Sequence, residues 1–221
     1  MILLGIDTAT RVSSVAVVRE DGHVLAEATG DARGRGTDLL VLIDRACADA
    51  KISPRELDAV AIGAGPGSFT SLRIGMATAK GIAFAAGKPL WAVSSLAALA
   101  AEAPAVGDEL VAAVLDARRG EVYAGVFGAN GIVGQERVLP PDQLGSLGAT
   151  RFIGDAGAAY PALVALPGAW DRTPTGAAVA QLALAGSRSD VLVTGVPAYI
   201  RPAEAEILYP DGVPGALRKR P

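Results

Sequence analysis

Ile2-Leu3-Leu4-Gly5-Ile6-Asp7-Thr8-Ala9-Thr10-Arg11-Val12-Ser13-Ser14-Val15-Ala16-Val17-Val18 opens the chain with an apolar run ending on a carboxylate, a short polar turn, and a β-branched, partly alternating run. Those are the marks of two strands joined by a turn. Asp21-Gly22 is a hairpin signal into residues 24–29, so three antiparallel strands come first. Outward from there, residues 39–50 read as a helix with Leu39, Leu42, Ile43, Ala46 and Ala50 on one face. Ser53-Pro54-Arg55-Glu56 is a capping box with proline at the first helical position. Residues 58–64 form a buried-type strand that runs into Gly65-Pro66-Gly67. Ser68 can cap a long helix over 69–86, residues 89–93 give another strand, and Ser94-Ser95 can start a helix through Ala101.

After Pro104 a similar order begins again. Residues 109–115 form a strand ending at Asp116, residues 121–127 a second, and Asn130-Gly131 a hairpin turn into a third over 132–138. A strand over 152–154 and a helix over 176–185, capped by Thr173 or Thr175, complete this half. In both halves the first strand ends on an aspartate, Asp7 and Asp116, at the turn into the second. This duplicated order predicts an α/β protein of two actin-like ATPase (ribonuclease H-like) lobes, residues 1–102 and a smaller lobe over 103–221, each a mixed sheet with helices around a common cleft.

Composition bounds the function. The 221 residues are 51% hydrophobic and 19% charged, enough for a large core without disulfides or metal. Residues 1–7 carry no basic leader and reach Asp7 too early for a signal peptide, and no apolar run approaches the roughly 18 residues of a membrane span. A single cysteine, Cys47, leaves no internal disulfide and fits a reducing compartment, so the expected location is cytoplasmic. A formal net charge of −3 argues against strong binding of nucleic acid by the chain alone. The one dense basic cluster, Arg218-Lys219-Arg220, reads either as a solvated tail or as a phosphate contact within a complex.

The inventory of catalytic groups is short. His23, the only histidine, sits beside a hairpin turn, so a histidine-pair metal site cannot be assembled and a Ser-His-Asp triad is remote. Cys47 falls beside the apolar face of its helix and reads as a structural thiol. Asp7, Thr8 and Thr10 occupy the turn that holds phosphate in actin-like ATPases, and their hydroxyls and N–H groups either cradle an oxyanion or satisfy local backbone. The matching turn in the second half carries Asp116 with Arg118 and Arg119, where a phosphate loop favours glycine. Gly154 and Gly157 are candidates for an adenosine-side turn. These six residues, Asp7, Thr8, Thr10, Asp116, Gly154 and Gly157, make up the candidate nucleotide-binding remnant, with no intact ATP cleft expected.

On the long helix, Gly75, Ala79 and Ala83 form a smooth stripe beside an apolar one of Phe69, Leu72 and Met76. One stripe is expected to pack inward and the smooth one to meet a partner, giving a candidate interface of Ser68, Phe69, Leu72, Arg73, Gly75, Met76, Ala79, Lys80 and Ala83.

Four stretches resemble the TsaB (YeaZ) family: Gly5-Ile6-Asp7-Thr8-Ala9-Thr10, Gly65-Pro66-Gly67-Ser68-Phe69-Thr70-Ser71-Leu72-Arg73-Ile74-Gly75, Leu115-Asp116-Ala117-Arg118-Arg119-Gly120-Glu121-Val122-Tyr123 and Pro197-Ala198-Tyr199-Ile200-Arg201-Pro202. Two departures stand out: Ser71 where the family has glycine, and Arg35-Gly36-Thr37 where it often has histidine. The resemblance implies a non-catalytic subunit of the machinery that makes threonylcarbamoyladenosine at position 37 of tRNA. Its implied partners are the catalytic TsaD, the ATPase TsaE and a second copy of itself, with tRNA reached only through the complex. No cofactor is expected of the chain itself, and ATP or ADP is compatible with the partner interface. The competing class is an autonomous actin-fold ATPase or kinase, or a glycoprotease-like peptidase.

Overall fold

The computed structural model describes residues 1–31 and 38–201; Arg35-Gly36-Thr37, Pro202 and the basic cluster at 218–220 lie outside the described residues. The three opening strands are β1 (Ile2–Asp7), β2 (Val12–Arg19) and β3 (Val24–Asp31), paired antiparallel as their alternation predicts. Helix α1 (Asp38–Asp49) follows, then a single 3-10 turn whose Ser53 and Glu56 form the expected capping box. Next come β4 (Ala59–Gly63), α2 (Phe69–Ala86), β5 (Leu90–Val93) and α3 (Ser95–Ala101). The first sheet runs β3-β2-β1-β4-β5, with β4 parallel to β1 and β5 parallel to β4.

The second half repeats this plan. β6 (Val111–Arg118) pairs antiparallel with β7 (Glu121–Gly128), which carries the short strands β8 (Gly131–Ile132) and β9 (Arg137–Leu139). β10 (Arg151–Gly154) lies parallel to β6, and β11 (Gly168–Ala169) parallel to β10. In each sheet the first strand of its half lies inside, its hairpin partner on one side and parallel strands on the other. That is the actin-like, ribonuclease H-like arrangement, twice. The single strand expected over 132–138 is two pieces, because Gly134 adopts a left-handed φ of 85° and interrupts the pairing.

Helices α1 and α2 lie side by side on one face of the first sheet, over Leu4, Ile6, Val15, Val17, Val60 and Ile62; Cys47 is buried there. The alternate residues of the same strands, Leu3, Ala16, Val18, Ala59 and Ala61, face α4 (Gly176–Ala185), capped by Thr175. This corrects the placement of that helix, which sequence order assigns to the second half. Its small residues let it lie close on the first sheet: a Cβ at Gly5 would stand 2.0 Å from the Gly176 carbonyl oxygen. A third apolar cluster joins the sheets, with Leu96, Leu99 and Ala100 of α3 against Val111, Ala113 and Leu115 of β6. No helix among the described residues is long and apolar enough to cross a membrane.

Candidate functional site

Between the two sheets lies a cleft of about 670 Å³. Its walls are the two equivalent turns after β1 (Ala9, Thr10, Arg11) and at the end of β6 (Asp116 to Arg119), the start of α2, and Asp155 after β10. Residues Ala198, Tyr199 and Arg201 line it from the C-terminal segment, and Tyr123 from β7.

The six candidate remnant residues do not share one fate. Thr10 and Asp116 line the cleft; Asp7, Thr8, Gly154 and Gly157 do not. Asp7 is fully buried and turned away, accepting a hydrogen bond from the Ala9 N–H at 2.8 Å and one from the Ser95 hydroxyl at 2.6 Å. Gly63 leaves the room for it, since a Cβ there would come within 1.9 Å of Asp7 Oδ2. Burial, which outweighs the Ser95 and Ala9 hydrogen bonds, pushes the Asp7 carboxyl up to about 7. Thr8 donates its hydroxyl to the Ser71 carbonyl at 2.9 Å, tying the turn to α2. Thr10 both donates to and accepts from the backbone of Val12. The two glycines serve packing: a Cβ at Gly154 would meet the Val114 carbonyl oxygen at 1.7 Å, and one at Gly157 would meet Trp170 Cβ at 2.7 Å.

In the second half the charged groups hold one another. Asp116 accepts from the Arg118 N–H at 2.8 Å and from the Tyr160 hydroxyl at 3.3 Å, and its other oxygen lies 3.6 Å from Arg118 Nε. Asp155, within the candidate turn from Gly154 to Gly157, accepts from the Asp116 N–H at 3.0 Å. Burial, then the neighbouring Asp116 charge, raises its carboxyl. The turn itself puts Arg118 and Arg119 at φ of 63° and 58°, a left-handed conformation uncommon for side chains with a Cβ. The cleft floor is therefore a set of arginine and carboxylate groups bonded across a tight hairpin, with small apolar residues between them.

The candidate interface needs a larger correction. Leu72, Gly75, Met76, Ala79 and Ala83 are all buried, so the two stripes make one broad inward face and neither is free. Gly75 is small because Thr8 lies beneath it, where a Cβ would stand 2.2 Å from Oγ1. Of the remaining candidates, Phe69 and Lys80 are half-buried, while Ser68 and Arg73 are exposed. The outward stripe of α2 is Ile74, Ala77, Gly81 and Phe84, with Phe84 79% exposed. On neighbouring α1, Leu40 and Val41 are also exposed. Ser71 fits the first turn without distortion, bonding the Ser68 hydroxyl at 3.0 Å.

Comparison with known proteins accords with this architecture. A family model for TsaD, tRNA N6-adenosine threonylcarbamoyltransferase, matches residues 32–206. A crystal structure of a Pseudomonas aeruginosa protein with similarity to the peptidase YeaZ superposes with a TM-score of 0.76 at 30% identity, covering 90% of this chain and 99% of that one. The chain belongs to the TsaD-like family and, within it, to the TsaB (YeaZ) group. The Bacillus subtilis tRNA threonylcarbamoyladenosine biosynthesis protein TsaB is 34% identical over 141 residues, 63% of this chain and 60% of that protein. An uncharacterized Mycobacterium leprae protein is 47% identical over 126 residues, 55% of this chain and 34% of its own length. The match thus spans between a third and three fifths of these curated relatives.

Proposed function

We propose that this chain is a non-catalytic subunit in the biosynthesis of threonylcarbamoyladenosine in tRNA, and that it acts by docking a catalytic TsaD-type partner on the outer face of α1 and α2. The observation that carries the reading is that face: Leu40, Val41, Ile74 and Phe84 stand exposed on two adjacent helices, with Ala77 and Gly81 leaving a flat surface between the last two. Large apolar side chains grouped on small neighbours are the make-up of a helix-packing interface. The chemistry of the cleft supports the non-catalytic part of the proposal. Asp7 is turned inward and Asp116 and Arg118 bond each other, so the groups at the two phosphate-side turns are spent on the chain itself.

On this reading the first lobe, residues 1–102, carries the partner helices, a second copy can occupy the same face, and TsaE and tRNA are met only in the assembled cytoplasmic complex. The chain requires no cofactor, and ATP or ADP belongs to the interface with the partner. Copurification with TsaD of the same organism, followed by a tRNA modification assay with and without this chain, tests the proposal. Modification that proceeds equally well without it refutes the role. ATP turnover or peptide cleavage by the isolated chain would favour an autonomous enzyme instead.

A further inference from the structure

The segment after α4 runs back along the first lobe and across the cleft. The Val191 N–H donates to the Leu90 carbonyl at 2.8 Å, Lys80 Nζ donates to the Val193 carbonyl at 3.4 Å, and the Ala198 N–H donates to the Ala64 carbonyl at 2.7 Å. Tyr199 then stacks on the start of α2, its ring centre 4.6 Å from that of Phe69. Its hydroxyl accepts from Arg73 Nε at 3.0 Å, while the Arg73 guanidinium covers the Phe69 ring at 3.8 Å. Two residues later the chain is bonded to the other lobe. Arg201 Nη1 donates to the Ala117 carbonyl and to Glu121 Oε2, both at 3.0 Å, on the hairpin that joins β6 to β7. Between them, Ile200 packs on the apolar cluster shared by the two sheets.

We infer that residues 198–201 are a clasp that holds the two lobes at a fixed aperture. The lobes already meet around α3, which packs on β6, β7 and β10 while the Ser94 hydroxyl at its start donates to the Glu136 carboxylate, and contacts centred on one helix leave the lobes room to rock about it. A second attachment, made by consecutive residues to opposite walls of the cleft, removes that freedom. Arg201 suits the task because its Nη1 carries two N–H groups, which bond a carbonyl and a carboxylate at once. The cleft is thereby held by the chain's own side chains and needs no ligand to keep its shape. This assigns a role to the fourth family-like stretch, Pro197 to Arg201, which touches neither the docking face nor a reacting group, and it does not depend on the identity of any partner.

The test is hydrogen exchange read by mass spectrometry on the full chain and on Arg201→Ala. The clasp predicts exchange about tenfold faster in peptides spanning 115–123 and 9–12, as a local opening, with β1, β4 and α1 unchanged. Glu121→Ala, which removes one of the two Arg201 bonds from the other lobe, must give the same pattern with a smaller amplitude. Tyr199→Ala must do so from the first-lobe side. Unchanged exchange around the cleft in Arg201→Ala overturns the proposal. So does a uniform acceleration that includes β1, since the segment would then contribute only to global stability.

Discussion

Asp7→Asn probes the least ordinary group in the protein. Asp7 is completely buried, its partners are a backbone N–H and the Ser95 hydroxyl, and burial raises its carboxyl from 3.8 to about 7. The folded state therefore holds the proton more tightly than the unfolded chain. The stability tied to that proton is fully present below the unfolded value and is lost as pH rises through about 7. A shift of about 3 units at 1.36 kcal/mol each is about 4 kcal/mol across the window, a large fraction of the 5–15 kcal/mol that holds a typical domain. Asparagine keeps an acceptor for the Ala9 N–H and presents an amide to Ser95, with no charge to bury. Urea unfolding of both proteins between about pH 4 and pH 8 should show the wild type losing stability as pH rises to about 7 and the variant losing much less. The difference between the two slopes is the quantity to read, because Glu102, Glu136 and Asp155, also raised by burial, give the variant a residual slope of the same sign. Parallel slopes, or a wild type that gains stability over this range, would refute the reasoning.

The inward and outward faces of α2 can be separated by mutation. Ala79→Glu puts a carboxylate into a position with no exposed surface and should abolish the folded circular dichroism signal, whereas Phe84→Glu should melt normally and lose association. If the docking face is correct, the Phe84 variant binds TsaD or a second copy at least about a hundredfold more weakly, since burying an unpaired charge costs several kcal/mol and each 1.4 is tenfold; unchanged sedimentation at matched concentration counts against it. Gly5→Ala should destabilise by about 3 kcal/mol or more in a thermal melt, because the new methyl meets the Gly176 backbone and forces α4 off the sheet. A melt within a degree or two of wild type would mean that α4 does not seat there.

Much of the fold was legible because alternation and turn chemistry are local. The three opening strands, the capping box at Ser53 and the Thr175 cap follow from side chains that bond within a few residues of themselves. What failed was direction. In α2 the Gly75 and Met76 stripes are adjacent, and a surface helix buries a face wide enough for both, so spacing alone could not say that one wide face was present. For α4 the sequence Gly176-Ala177-Ala178-Val179-Ala180 is apolar all round, which announces burial but not the sheet against which it occurs.

The same limit explains the candidate site. Asp7 and Asp116 hold equivalent places at the ends of paired strands, and a carboxylate there can face the cleft or the core. The neighbours that each carboxylate meets decide between them. Gly63 and Ser95 open a buried pocket with a donor ready for Asp7, while Tyr160 and Arg118 meet Asp116 at the cleft wall. The first lobe thus directs its turn carboxylate inward and the second pairs its own with the adjoining hairpin, so both serve as internal fastenings. The proposed docking surface, the apolar face of α1 and α2, is one that these fastenings leave untouched.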